Sequence, residues 1–332
     1  MPLSNAGGFR LQKTVFITGA AGFIGSNVAF ALLRRGDRVF GLDNFDPFYD
    51  RATKERNLAG LAAHPGFSFL EADIRDAHAL SSWGAGEAPF ALIHLAAKAG
   101  VRPSVADPAG YADVNVMGTV SVLDWARERS VPRVLFASSS SVYGGNTKVP
   151  FTEDDFVDCP VSPYAATKKA GELLCHTWCH LYGMNIASLR FFTVYGPAQR
   201  PEMAIHKFTR RMFEGKEIEI FGDGTTRRDY TYIDDIVSGV LGALAAPPGY
   251  RVYNLGGSAT ISLSDLVALL ERATGVRAKC KHLPPQPGDV PVTFADITRA
   301  RAEIGYDPKT PVEAGVRNFV QWYRNGAGIK KS

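Results

Sequence analysis

The stretch GAAGFIG, Gly19 to Gly25, constrains this chain more than any other. It is wedged between an apolar, β-branched run, TVFIT from Thr14, and an amphipathic stretch, NVAFALLRRG. Glycine at 19, 22 and 25 permits a tight turn, lets the backbone approach a ligand closely, and lets a helix beginning near Phe23 pack on the preceding strand. A helix that starts in such a turn points its unpaired amides outward and makes a seat for phosphate. The next β-branched run, RVFGLD, ends in Asp43, 24 residues after Gly19. A carboxylate there accepts hydrogen bonds from the hydroxyls of an adenine ribose and repels a 2′-phosphate, and no arginine immediately follows it. The expected cofactor is therefore NAD+ rather than NADP+.

The alternation continues through FSFLEAD, FALIHLAA, the 111–129 segment, RVLFAS, the 162–182 segment and NIASLRFF. Strand and helix in that rhythm predict an α/β fold with a Rossmann-like, doubly wound parallel sheet, its strands solidly apolar because helices cover both faces. Asp73 and Ile74 close the third strand and are expected to flank adenine. Leu95, Ala96, Ala97 and Lys98 close the fourth and are expected to line the cofactor groove. Beyond about residue 195 the rhythm loosens into Gly- and Pro-rich connections such as FGDGTTRRD and LPPQPGDVP. The expected organisation is a disordered tail over 1–12, a cofactor-binding domain over 13–190, and a smaller, partly interleaved C-terminal lobe over 191–332. Segments near 229–250 and 291–304 are expected to return to the first domain.

Composition narrows the function classes. With 332 residues, 45% of them apolar and 21% charged, the chain can bury a substantial core. Its net charge of +4 comes from 37 basic and 33 acidic residues, and no basic block is longer than a pair, which argues against a nucleic-acid surface. The four cysteines, Cys159, Cys175, Cys179 and Cys280, are unpatterned, so a reducing, cytoplasmic setting is expected. No apolar run is long enough for a membrane helix, and none is expected to anchor the chain. The cluster CHTWCH, Cys175 to His180, lies on a single helical stretch that cannot surround an ion tetrahedrally, and no metal site is expected.

Two further motifs carry chemistry. In YAATK, Tyr164 to Lys168, a spacing of four puts phenol and ammonium on one helical face. A nearby cation stabilises phenolate, so the tyrosine pKa of ~10 is expected to fall toward the range of a general base. In SSSSVYGG, Ser138 to Gly145, four hydroxyls follow the apolar run RVLFA. They fall at the carboxyl end of a parallel strand, where open α/β sheets bind ligands. Ser139, 25 residues before Tyr164, can share a substrate oxygen with the phenol.

Taken together, GxxGxxG followed by aspartate, a serine near SVYG and YxxxK resemble the extended short-chain dehydrogenase/reductase superfamily, in its nucleotide-sugar epimerase and dehydratase branch, from about Thr14 to Trp322. Within that branch the longer segments DNFDPFYD (43–50), AAKAGVRPSV (96–105), SPYAATKKAGEL (162–173), RFFTVYGPAQRPEMA (190–204), RRDYTYIDDI (227–236) and QPGDV (286–290) are similar to the UDP-glucuronate 4-epimerases.

The resemblance implies a catalytic triad of Ser139, Tyr164 and Lys168 acting with tightly held NAD+. Tyr164 would take the proton of the sugar's C4 hydroxyl while hydride passes to the nicotinamide. The resulting 4-keto sugar would swing about its diphosphate and receive the hydride on its other face. Lys168 would lower the tyrosine pKa and Ser139 would orient the C4 oxygen. Further cofactor contacts are implied for Phe23, Ile24, Asn44, Asn115 and Ser138.

On the substrate side, Ser140, Ser141, Thr193 and Arg200 would hold a C5 carboxylate, Phe221 would flank uracil, and Arg228 would bind the diphosphate. Arg102 and Asp289 are weaker diphosphate candidates, since Gln286 stands where some UDP-glucose epimerases carry arginine. Ser140 and Ser141 occupy positions that are Asp-Glu in the 4,6-dehydratases, and the second is Glu in the UDP-glucuronate decarboxylases. Hydroxyls there disfavour elimination. A homodimer is implied, built as a four-helix bundle from the 111–129 and 162–182 helices, with CHTWCH in its interface. The alternatives are a UDP-glucose/UDP-galactose 4-epimerase, a UDP-glucuronate decarboxylase, and an NAD-sensing binding protein that keeps the fold without the chemistry.

Overall fold

The computed structural model describes residues 12–284 and 290–327. The tail expected over 1–12, except its last residue, lies outside the described residues, as do Gln286 and Asp289. Six strands form where the apolar runs predict them: β1 (Thr14–Thr18), β2 (Arg38–Asp43), β3 (Phe67–Glu71), β4 (Ala91–His94), β5 (Val134–Ser139) and β6 (Ile186–Phe191). A seventh, Tyr250–Leu255, pairs with β6. All pairings in this sheet are parallel, and the order across it is Tyr250–Leu255, β6, β5, β4, β1, β2, β3.

Side-chain alternation feeds two cores. Val15 and Ile17 of β1, with Leu135 and Ala137 of β5, pack beneath helix α1 (Phe23–Arg34) and helix Ile233–Ala243. Phe16, Leu92, Val134 and Phe136 face the other way, against Val122, Leu123 and Trp125 of helix Gly118–Glu128. Burial on both faces explains the unbroken apolar runs and favours burying each strand by about 25 cal/mol per Å² of apolar surface.

This sheet positions the site. β1 lies between β4 and β2, so chain direction reverses its lateral progress there, and the crevice at the strand ends opens between β1 and β4. The long helix Pro163–Tyr182 begins at the same edge. Ser162 caps it by accepting the Ala165 amide at 3.1 Å, proline occupies its first turn, and Gly183 ends it at φ 65°. After Phe191, apart from Tyr250–Leu255, the named strands form small two-stranded pairings: Thr193–Tyr195 with Tyr230–Tyr232, Ile218–Phe221 with Cys280–Leu283, and Arg227–Arg228 with Ile261–Ser262.

Candidate active site

The glycine turn closes against the neighbouring strand end. Gly19 has φ +72°, and a Cβ built on it would lie 2.7 Å from the Ala96 nitrogen, so β1 and the segment after β4 meet backbone to backbone. A Cβ on Gly25 would lie 2.1 Å from the Gly19 oxygen. Gly22 opens α1 without any side-chain cap. The first-turn amides of Phe23, Ile24 and Gly25, all residues of the cavity wall, are thus left for an anion.

The cavity, about 390 Å³, is lined by Gly19, Gly22, Phe23, Ile24, Gly25, Asp43, Asn44 and Ile74, and by Leu95 to Lys98. An uncapped helix start, a loop without Cβ atoms and a carboxylate at the end of β2 fit a dinucleotide such as NAD+. Asp43 is nearly buried. Its Oδ2 accepts the Ala21 amide at 3.2 Å and its Oδ1 the Phe45 amide at 2.9 Å.

Two expected cofactor residues stand behind this wall. Asp73 is held by Arg75 at 2.7 Å and by the Asn44 amide at 2.8 Å, and these partners draw its pKa down to about 2. Asn115 is buried in a π-helical turn, Asp113–Met117, where its Oδ1 accepts the Lys98 amide at 2.8 Å and its Nδ2 donates to the Lys98 carbonyl and to Thr167 Oγ1. Asn115 therefore shapes the Leu95–Lys98 segment from the rear.

Ser138, Ser139, Tyr164 and Lys168 line the same cavity. The Ser139 Oγ accepts the Ser141 amide at 3.1 Å and lies 3.2 Å from the Ser141 hydroxyl. Lys168, buried, donates to the Ala137 carbonyl at 2.8 Å, and its ammonium is 6.0 Å from the centre of the Tyr164 ring. The expected lowering of the tyrosine pKa is corrected on this point. Burial raises the Tyr164 phenol above its ordinary value, and the Ser139 hydroxyl and the Arg200 charge only partly offset this. Burial lowers the Lys168 ammonium to about 8.

A second cavity, about 330 Å³, joins the first, and Phe48, Ser140, Ser141, Thr193 and Arg200 line both. Arg200 forms a 3.2 Å ion pair with Glu202 and lies over the Phe48 ring. Arg102 and Arg228 line the second cavity. Phe221 lines neither, but its ring carries the Arg102 guanidinium at 4.8 Å.

Three residues escaped sequence reasoning. Lys54 reaches back from the helix Arg51–Ala62 to place its ammonium 3.2 Å from Asp43 Oδ1, both side chains nearly buried. Its distance from Asp43 in the chain hid it. Tyr49 lines the cavity, and burial raises its pKa. His94, at the end of β4, is buried with Thr18 Oγ1 at 2.6 Å and Thr119 Oγ1 at 3.2 Å, and burial lowers it to about 3.

The CHTWCH expectation is corrected in part: Cys175 is fully buried in this chain's own core beside Phe136 and Ile186, so it cannot face a partner. Among the described residues, no group of three or more His, Cys, Asp or Glu could hold a metal ion.

Comparison with known proteins gives this geometry a family. The model of the NAD dependent epimerase/dehydratase family matches residues 15–256. The chain is 46% identical to UDP-glucuronate 4-epimerase 4 of Arabidopsis thaliana, covering 93% of this chain and 75% of that protein. It is 44% identical to the UDP-glucuronate 4-epimerase of Thermodesulfobacterium geofontis, covering 95% and 98%. The crystal structure of a UDP-glucuronic acid 4-epimerase from Bacillus cereus, in complex with UDP-glucuronic acid and NAD, superposes with a TM-score of 0.88 at 35% identity, covering 94% of this chain and 99% of that one. With its glycine turn, Asp43 and the Tyr164 helix gathered at one sheet edge, the chain belongs to the NAD dependent epimerase/dehydratase family.

Proposed function

We propose that this chain is an NAD-dependent isomerase, a 4-epimerase that interconverts UDP-glucuronate and UDP-galacturonate through a 4-keto sugar. The observation that carries this reading is the junction of the two cavities, where Ser140, Ser141, Thr193 and Arg200 stand beside Ser139 and Tyr164. Three hydroxyls and a guanidinium at one point match a sugar that carries its own carboxylate, each charge-assisted bond contributing on the order of 1.5–3 kcal/mol.

NAD+, when bound, supplies a hydride acceptor that returns the hydride within the same turnover. Gly19, Gly22, Phe23, Ile24 and Gly25 hold its pyrophosphate and Asp43 its adenine ribose. Tyr164 takes the proton of the C4 hydroxyl, Ser139 orients the C4 oxygen, and Lys168 places a positive charge behind the phenol. The 4-keto uronate is a β-keto acid, and a carboxylate kept hydrogen-bonded and out of line with the π system of the ketone resists loss of CO2. Arg228 and Phe221 grip the nucleotide from the C-terminal lobe, and Arg102 from the cofactor-binding domain.

In this division residues 13–190, with returning segments near 229–250 and 291–304, hold the cofactor, and the remainder of 191–332 holds the nucleotide sugar. The exposed Leu173, Leu181 and Tyr182 of the long helix, with Met117, form the face through which two copies pair in a four-helix bundle. Among the described residues no helix is long and apolar enough to cross a membrane. The four free cysteines support a reducing, cytoplasmic setting. Purified protein incubated separately with UDP-glucuronate and UDP-glucose, with products resolved by NMR, tests the reading. Formation of UDP-galacturonate is the expected result; equal turnover of UDP-glucose, or a pentose product, overturns it.

A further inference from the structure

A closed polar network lies beneath the active-site serine and takes no part in the chemistry described above. Glu172 and Arg190 form an ion pair at 2.8 Å with both side chains 3% exposed. Glu172 Oε1 accepts from Arg190 Nε at 2.8 Å and from Ser138 Oγ at 2.6 Å, while Oε2 accepts from Arg190 Nη2 at 2.9 Å. The remaining guanidinium nitrogen, Nη1, donates to the Tyr143 hydroxyl at 3.0 Å and the Glu153 carbonyl at 3.3 Å. Tyr143 in turn donates to Asn254 Oδ1 at 2.7 Å.

We infer that Glu172 and Arg190 are positioning residues, clamping the helix that carries Tyr164 and Lys168 to the strand end that carries Ser139. Three ties join that helix to β5 over three consecutive strand residues. A Cβ on Gly171 would lie 2.3 Å from the Phe136 ring, so the helix rests directly on that side chain. Lys168 holds the Ala137 carbonyl, and Glu172 holds the Ser138 hydroxyl. Lys168 and Glu172 are one helical turn apart on one face, so the ties fix both the height and the rotation of the helix. Through Tyr143 the same pair also reaches the turn Ser140–Tyr143, which holds two of the carboxylate-binding hydroxyls.

Buried ion pairs often add little net stability over apolar residues of similar volume. Here the bonds to Ser138 and Tyr143, beyond the pair itself, end on segments that build the site.

The inference rests on Tyr164 acting as the base, and the test separates the two. Around the phenol stand Lys168, Arg200, Tyr111 and the Ser139 hydroxyl, and only the last is set by the strand end that Ser138 anchors. Ser138→Ala removes one of the three ties between helix and strand and leaves the ion pair whole; Glu172→Gln removes the charge as well. In the full chain loaded with NAD+, Ser138→Ala is expected to lower kcat for UDP-glucuronate about tenfold with KM within about twofold, as the loss of one orienting bond implies. Measured at saturating NAD+, the pH limb of kcat is expected to move upward while the melting temperature stays near that of the parent.

The tyrosinate absorption band, taken as the difference between each chain and its Tyr164→Phe counterpart, reports the same shift without substrate. A band that moves in a chain inert toward UDP-glucuronate would keep the positioning role and overturn the proposed function. Unmoved band and unchanged kcat in Ser138→Ala would overturn the positioning role, as would a kcat loss that tracks only a loss of bound NAD+. Glu172→Gln, where it folds, is expected to move both readouts further in the same direction; smaller shifts than those of Ser138→Ala would overturn the clamp.

Discussion

The Lys168 ammonium donates to the Ala137 carbonyl at 2.8 Å, and so is bonded to the strand beneath the site and not to the Tyr164 phenol one helical turn away. Its charge still lies 6.0 Å from the centre of the Tyr164 ring, and the Lys168 side chain is buried.

The first prediction follows from that placement. On the proposed reading of Tyr164 as the base, activity is expected to rise with pH as its phenol ionises. Lys168→Met removes the cation, which is present below about pH 8, and is expected to move this limb upward. A kcat–pH series on both chains measures it. Superimposable limbs would remove Lys168 from the electrostatics of the base.

Arg200 is paired with Glu202 at 3.2 Å and stands where the two cavities join. Arg200→Ala is expected to raise KM for UDP-glucuronate about ten- to a hundredfold, as the loss of a charge-assisted bond implies. It is also expected to increase release of the pentose product, while KM for UDP-glucose changes little. Steady-state kinetics with product NMR checks both parts.

His94 is buried, bonded to two threonine hydroxyls, and held neutral down to about pH 3, whereas an unfolded histidine takes a proton near 6.5. Below about 6.5 the unfolded chain binds the extra proton, so stability falls as the pH drops through that window. At pH 5 the loss is about 2 kcal/mol, from roughly one and a half pKa units. Denaturant unfolding at pH 7.5 and pH 5 is expected to show this loss in the parent and a shallower one in His94→Gln.

Gly19→Ala tests the glycine turn. Alanine at φ +72° is strained by about 1–3 kcal/mol, and its Cβ would press on the Ala96 backbone. The variant is expected to lose most of its bound NAD+ and to melt lower than the parent; NAD+ released on denaturation, measured per chain, provides the readout.

Much of this molecule was legible in the chain order. The apolar runs ending at Thr18, Asp43, Glu71, His94, Ser139 and Phe191 carry strand propensity and apolar continuity locally, so six of the seven strands follow from short windows. The seventh, YRVYNL, alternates with polar residues at an edge of the sheet and needs β6 to become a strand. The glycine turn was readable because a missing Cβ is a property of the residue itself.

Lys54, His94 and Glu172, which sequence reasoning missed, share one trait: their meaning depends on a partner on another element. Lys54 matters because a helix folds it back onto Asp43, and His94 because Thr18 and Thr119 close around it. Glu172 lies 18 residues before Arg190, on a different element, and looks solvated in a helical window.

The sequence by itself determined which groups are present at the strand ends, since residue type and spacing place Ser139, Tyr164 and Lys168 at one edge of a parallel sheet. Only the tertiary structure decided how those groups are charged and whom they face. Burial raises the phenol and lowers the ammonium, and the bond from Lys168 to Ala137 redirects a cation that spacing alone assigns to Tyr164. Both outcomes depend on desolvation and on contacts between distant segments, which exist only once the two cores have closed over the sheet.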